Sequence, residues 1–258
     1  MSLAQTVLLG AIAGFTIYLG LPIGRIKGLP AKLRSFLSMS SAGILVFLFF
    51  DIFEQLSTSI ESTFRPGDYN ELLALAALFI LGFGLGLGGL IAFERRYLRP
   101  PAAGGQVLSP TRLALVIAAG IGLHNFSEGL AIGQSAGGGE LAFAGILILG
   151  FGLHNATEGF GIVGPLMGKE QPSWGFLGLA GLIGGGPTFL GTMVGYYFVS
   201  KALSVLFLSL AAGALIYIIG ELFQMNWRGP TKQAAGIGFL SGFLFAFLAE
   251  MALVLAGV

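Results

Sequence analysis

Along this chain, long runs of apolar residues alternate with short polar breaks from one end to the other. Eight runs come close to or exceed the roughly 20 residues that a helix needs to cross bilayer hydrocarbon. They predict helices over about 3–22, 36–56, 71–93, 112–134, 141–167, 173–199, 202–225 and 233–257. The breaks between them hold most of the basic residues, and hold them unevenly. Arg25, Lys27, Lys32 and Arg34 follow the first run; Arg95, Arg96, Arg99 and Arg112 follow the third. Lys169 follows the fifth run, and Arg228 and Lys232 follow the seventh. The alternate breaks receive only Arg65 and Lys201. Cytoplasmic loops carry the excess of Lys and Arg in membrane proteins, so this bias predicts both termini outside the cytoplasm. The expected fold class is an all-α membrane protein of eight transmembrane helices, a single domain over residues 1–258.

Two of the apolar runs are interrupted by the same polar pattern. Gly122-Leu123-His124-Asn125-Phe126-Ser127-Glu128-Gly129-Leu130-Ala131-Ile132 lies in the fourth run. Gly152-Leu153-His154-Asn155-Ala156-Thr157-Glu158-Gly159-Phe160-Gly161-Ile162 lies in the fifth, thirty positions on. These copies contain both histidines of the chain. Helices four and five run in opposite directions yet carry one motif, which is the mark of an inverted repeat. A weaker echo joins the second run (Ala42, Gly43, Leu45, Asp51, Phe53) to the seventh (Ala212, Gly213, Leu215, Glu221, Phe223). A three-plus-two-plus-three arrangement accommodates both echoes.

Composition narrows the class further. Hydrophobic residues make up 55% and charged residues 10% of the chain, against roughly a quarter charged in soluble domains. A net charge of +1 with no basic face offers nothing to a nucleic acid. The absence of cysteine excludes disulfides, thiolate metal sites and thioether haem attachment. The 43 glycines suit close helix packing. The run Gly82–Gly89 belongs to that group, since no strand precedes it to make a nucleotide-binding loop. Residues 94–111 read as a flexible cytoplasmic connector. The first run has no basic leader, which fits a retained helix, and the compact chain suits a prokaryotic cytoplasmic membrane.

The chemistry lies in the repeated motif. Positions i and i+4 share a helix face, so His124 faces the same way as Glu128, and His154 the same way as Glu158. A His and a Glu at mid-membrane are costly unless something pairs with them. Two imidazoles and two carboxylates make a ligand set for Zn²⁺, and also for Fe²⁺, Mn²⁺, Co²⁺ or Cd²⁺. Asn125 and Asn155 flank these ligands and either contribute amide oxygens to an adjacent second metal position or hydrogen-bond neighbouring helices. Among the other intramembrane acids, Asp51 and Glu250 are the candidates for an ion pathway on the outer side, with Glu221 toward the cytoplasm. Glu54 and Glu221 fit either that pathway or the membrane interface.

These motifs resemble those of the ZIP family of divalent-metal transporters, particularly its bacterial GufA-like branch, whose fourth and fifth helices carry His-Asn-x-Pro-Glu-Gly. The resemblance spans nearly the whole chain. It implies a primary transport site of His124, Glu128, His154 and Glu158, an adjacent site involving Asn125, Asn155 and Glu158, and a homodimer. Three departures stand out. Ser127 and Thr157 replace the family's prolines. Gly184-Gly185-Gly186-Pro187 replaces a carboxylate before proline on helix six, which predicts a weak or absent second metal. The connector 94–111 has no histidine for capturing metal.

The expected function is therefore uptake of a divalent transition metal, most readily Zn²⁺, across the cell membrane, with no enzymatic activity. Two other readings compete: a membrane haem protein with axial His124 and His154, and an intramembrane metallohydrolase. The first leaves Glu128 and Glu158 unexplained, and the second lacks the His-Glu-x-x-His pattern.

Overall fold

A computed structural model of the protein describes residues 2–98, 109–139, 141–198, 200–227 and 229–255. It is all-helical, with a lone bridge pair, Arg65 and Asp68, as the only extended pairing among the described residues. In chain order the helices are α1 (Leu3–Phe15), α2 (Ile17–Gly20), α3 (Ala31–Glu61), α4 (Asn70–Phe93) and α5 (Pro110–Gly137). They continue with α6 (Leu141–Val163), α7 (Trp174–Tyr197), α8 (Lys201–Asn226) and α9 (Lys232–Leu255). Among the described residues, seven helices are long and apolar enough to cross a membrane. They mark the chain as a multi-pass membrane protein. The remaining expected span coincides with α6, of 23 residues.

Helix ends follow their local chemistry. Ser2, Ser109, Ser173 and Ser200 cap α1, α5, α7 and α8, each accepting a hydrogen bond from a backbone N–H three residues on. The first run is divided between α1 and α2. The Thr16 hydroxyl donates to Ala13 O at 2.6 Å where α1 gives way to α2, and a 3₁₀ turn, Leu21–Arg25, ends the run. Polar α3 ends extend beyond the expected 36–56, from the residue after Pro30 to Glu61. The expected connector begins differently too: Glu94–Leu98 prolong α4 as a π-helical turn, and its residues 99–108 lie outside those described.

Helices pack in parallel pairs through glycine. At Gly43 of α3 an added Cβ would collide with Phe239 O of α9, and at Gly213 of α8 with Phe83 O of α4. Gly242 of α9 meets Ser40 O of α3 in the same way that Gly86 of α4 meets Leu210 O of α8. The second echo of the sequence therefore makes the same contact in both places. A third matched set joins the first run and α6 to α7 and α5: Gly20 sits on Ala156 O and Gly191 on Phe126 O, while Gly159 sits on Ile17 O and Gly129 on Thr188 O. Hydrocarbon gives no hydrophobic drive for helices to associate, so van der Waals contact at such close crossings holds them.

Two groups of helices result. One contains α1, α2, α5, α6 and α7; the other contains α3, α4, α8 and α9. Between the groups α5 packs on α8, with Phe126 and Phe207 rings 4.4 Å apart, and α3 packs less extensively on α6. At one end of the bundle Arg34 of α3 donates to Gly168 O after α6, at 2.9 Å, and so ties the groups together. Gly168 has φ +68°, and any side chain there would strike the Arg34 guanidinium. Arg25 stacks over Trp174 at 4.7 Å and donates to Pro172 O at this same end, and Ser35 bonds Thr231. The opposite end carries the link from Lys201 to Ser62, at 3.2 Å.

These crossings predict opposite outcomes for two glycines on α4. Gly86→Ala should destabilise the fold by about 1–3 kcal/mol, the usual cost of overpacking. Gly84→Ala meets open space and should be neutral or mildly stabilising through helix propensity. Unfolding titrations in mixed micelles measure both; equal effects would refute the packing.

Candidate metal centre

The two motifs meet at the crossing of α5 and α6. His124, Asn125 and Glu128 project from α5, and Asn155 and Glu158 from α6; all five are buried, at 0–4% exposure. Gly129 and Gly159, directly after the glutamates, let α7 and the first run close in on the motif helices. His124 Nε2 lies 3.0 Å from Glu128 Oε1 and 3.9 Å from Glu158 Oε1. The carboxylates of both motifs therefore converge on one imidazole nitrogen, as the i, i+4 spacing requires for the first and as helix crossing supplies for the second. His154 stands on α6 one turn before Glu158, and its side chain lies outside the described residues.

The asparagines hydrogen-bond across the motif pair. Asn125 Nδ2 donates to Glu158 Oε2 at 3.2 Å and to Gly184 O of α7 at 3.0 Å. Asn155 Nδ2 donates to Glu128 Oε2 at 3.4 Å and to Ala13 O of α1 at 3.2 Å. Asn125 Oδ1 and Asn155 Oδ1 are buried with no hydrogen-bond partner among the described residues. Leaving a buried acceptor unsatisfied costs about 1–3 kcal/mol, so the two oxygens favour a cation or a water beside them. The Gly184–Pro187 stretch of α7 thus contributes a backbone carbonyl to the site, accepting from Asn125. Ser127 Oγ contacts Leu123 O at 3.4 Å, the backbone carbonyl one turn earlier, and α5 continues past it.

The donor set suits a borderline divalent ion, with imidazole and carboxylate groups and no thiolate. Among the described residues no three His, Asp or Glu side chains already form a metal-holding group. His124 and Glu128 instead face each other within hydrogen-bonding distance.

A cavity of about 510 Å³ leads toward the motif from the end of the bundle where α3 and α5 finish and α8 begins. Asp51 and Glu250, both half-buried, line it together with exposed Glu54. Its inner wall reaches Ser127 and Leu130, the neighbours of Glu128 and Gly129 on α5. Glu221, half-buried on α8, does not line this cavity. Gln55, Gln134 and Ser204 line it and escaped the sequence reading. Ser127 and Gln134 fall on one helical face, seven positions apart, and that polar spacing was the available signal. The carbonyls of Ala13 and Gly184 had no signal, because backbone atoms leave no trace in residue type.

No protein-family model matches this chain, and no curated protein matches it either.

The cross-motif bonds predict a graded response at Glu158. Glu158→Ala should destabilise the protein by about 1–3 kcal/mol by stranding an Asn125 N–H. Glu158→Gln keeps an acceptor oxygen and should cost less. Equal losses in chemical unfolding would argue against the hydrogen bond.

Proposed function

We propose that this protein carries divalent transition-metal ions, Zn²⁺ foremost, across a cell membrane into the cytoplasm. The observation that carries the reading is the convergence of Glu128 Oε1 and Glu158 Oε1 on His124 Nε2 inside a membrane bundle, 3.0 Å and 3.9 Å away. A buried imidazole with two carboxylates neutralises a dication and replaces part of its water shell. With His154 it makes the four-ligand set that the resemblance to ZIP transporters implies, and Fe²⁺, Mn²⁺, Co²⁺ and Cd²⁺ fit the same donors. Asn125 and Asn155 border this site. The protein acts as a transporter, not as an enzyme.

Eight spans form an inverted repeat, with the first three mirrored by the last three around the motif helices, and both termini face outward. The matched glycine contacts of α3, α4, α8 and α9 support the mirror relation. The basic end of the bundle, with Arg25, Arg34, Lys169 and Lys232, supports the orientation. The cavity then opens to the outside. Asp51, Glu54 and Glu250 draw cations into it, and the ion passes along α5 to the motif. Glu221 serves the cytoplasmic side. Rocking of the two helix groups would expose the site alternately, and proton binding to the His and Glu ligands would assist release. The resemblance implies a homodimer.

Proteoliposomes test the reading directly. Wild type should admit Zn²⁺ or Cd²⁺, and His124→Ala or His154→Ala should reduce influx to background; undiminished influx in both variants would place the pathway elsewhere. The pair Asp51→Asn and Glu250→Gln should raise the half-saturating ion concentration several-fold at low salt, with the difference shrinking as salt screens the attraction. A half-saturation equal to wild type at low salt would remove these acids from the pathway.

A further inference from the structure

We propose that Asn125 and Asn155 are positioning residues: each clamps the carboxylate of the opposite motif with one amide N–H while the other N–H is anchored on the backbone of α7 or α1. This rests on the metal-transport reading and assigns the asparagines a task within it other than ligation.

An asparagine amide has two N–H donors and one acceptor oxygen. In both copies both donors are used. One goes to the carboxylate Oε2 of the other motif, and the second goes to a main-chain carbonyl, Gly184 O for Asn125 and Ala13 O for Asn155. A flipped amide would set its oxygen against two acceptors, so the orientation is fixed. The consequence falls on the glutamates. With Oε2 held by the asparagine, the remaining oxygen of each carboxylate, Oε1, is the one turned to His124 Nε2. The clamp thus sorts each carboxylate into a held oxygen and a presented one, and does so before any ion arrives. A glutamate side chain has three rotatable bonds, and fixing it in advance removes an entropy cost from binding.

The anchors depend on one crossing. Gly14 of α1 and Gly185 of α7 face each other so closely that a Cβ on either would strike the other's carbonyl oxygen. Ala13 and Gly184 precede them, so this contact brings their carbonyls within reach of the motif helices. Gly14 and Gly185 thereby set the carboxylates without touching the site.

Asn→Asp separates clamp from ligand, because aspartate keeps the oxygen and loses the donors. Calorimetric Zn²⁺ or Cd²⁺ binding to the purified protein should weaken by roughly tenfold or more in Asn125→Asp, the worth of one hydrogen bond to a charged group. Asn155→Asp, on the opposite helix, carries the same test if the first variant fails to fold. Binding as tight as wild type, or tighter, would make the asparagines oxygen ligands and overturn the proposal. A second readout needs no metal. In ¹⁵N-asparagine-labelled protein the side-chain N–H₂ protons of Asn125 and Asn155 should exchange slowly, unlike those of exposed Asn70, and Gly185→Ala should speed the exchange. Fast exchange in wild type would overturn the clamp by itself. Wild type that binds no ion yet keeps slow amide exchange would sink the transport reading and leave the clamp geometry standing.

Discussion

Polar groups held between apolar helices are costly unless something pairs with them, and this protein sets the donors and carboxylates of its two motifs against one another. His124, Glu128, Glu158, Asn125 and Asn155 form one buried set, with carboxylates on an imidazole and amides on the opposite carboxylates. The set closes only because five helices, α1, α2, α5, α6 and α7, come within main-chain contact. Glycine at Gly14, Gly129, Gly159 and Gly185 allows that approach. Larger side chains at these crossings would separate the helices, and the amides would lose the carbonyls on which they are anchored. Packing and polar satisfaction are thus one requirement.

Around this centre the helices divide by partner. The motif helices associate with α1, α2 and α7, while α3 and α9 pair, as do α4 and α8. The acidic cavity lies along the seam between the groups at one end, lined by residues of α3, α5, α8 and α9 that include Gln134 and Ser204. The other end of the seam is tied by Arg34 to Gly168 O. A bond from a guanidinium is stronger than one between neutral groups, and the neutral contact between Gln134 and Ser204 at the cavity end is long, at 3.3 Å. The seam is therefore held unequally at its two ends.

Much of this was legible in residue order because hydrophobic runs and i, i+4 spacing are strong signals. The boundaries of α4, α7 and α8 fall within a few residues of expectation, since each run is bounded by polar or capping residues. The face shared by His124 and Glu128 follows from helical geometry alone. The break at Thr16 was not legible, because apolar residues continue on both sides of it and Thr16 itself keeps helical dihedrals. The π-helical turn at Glu94 fell where charged residues suggested a loop. Most of all, the roles of Ala13 and Gly184 lie in their carbonyl oxygens, and every residue has one. Only the crossing of α1 and α7 singles these two out.

The contacts at Gly43 and Gly213, and at Gly86 and Gly242, describe the same local arrangement twice, in separate pairs of helices. A chain built this way carries its own replicate. What a substitution does at one copy can be compared with its counterpart in the same molecule, in the same solvent and at the same temperature. A disparity between counterparts then measures surroundings and not chemistry, a separation that a singly built fold does not offer.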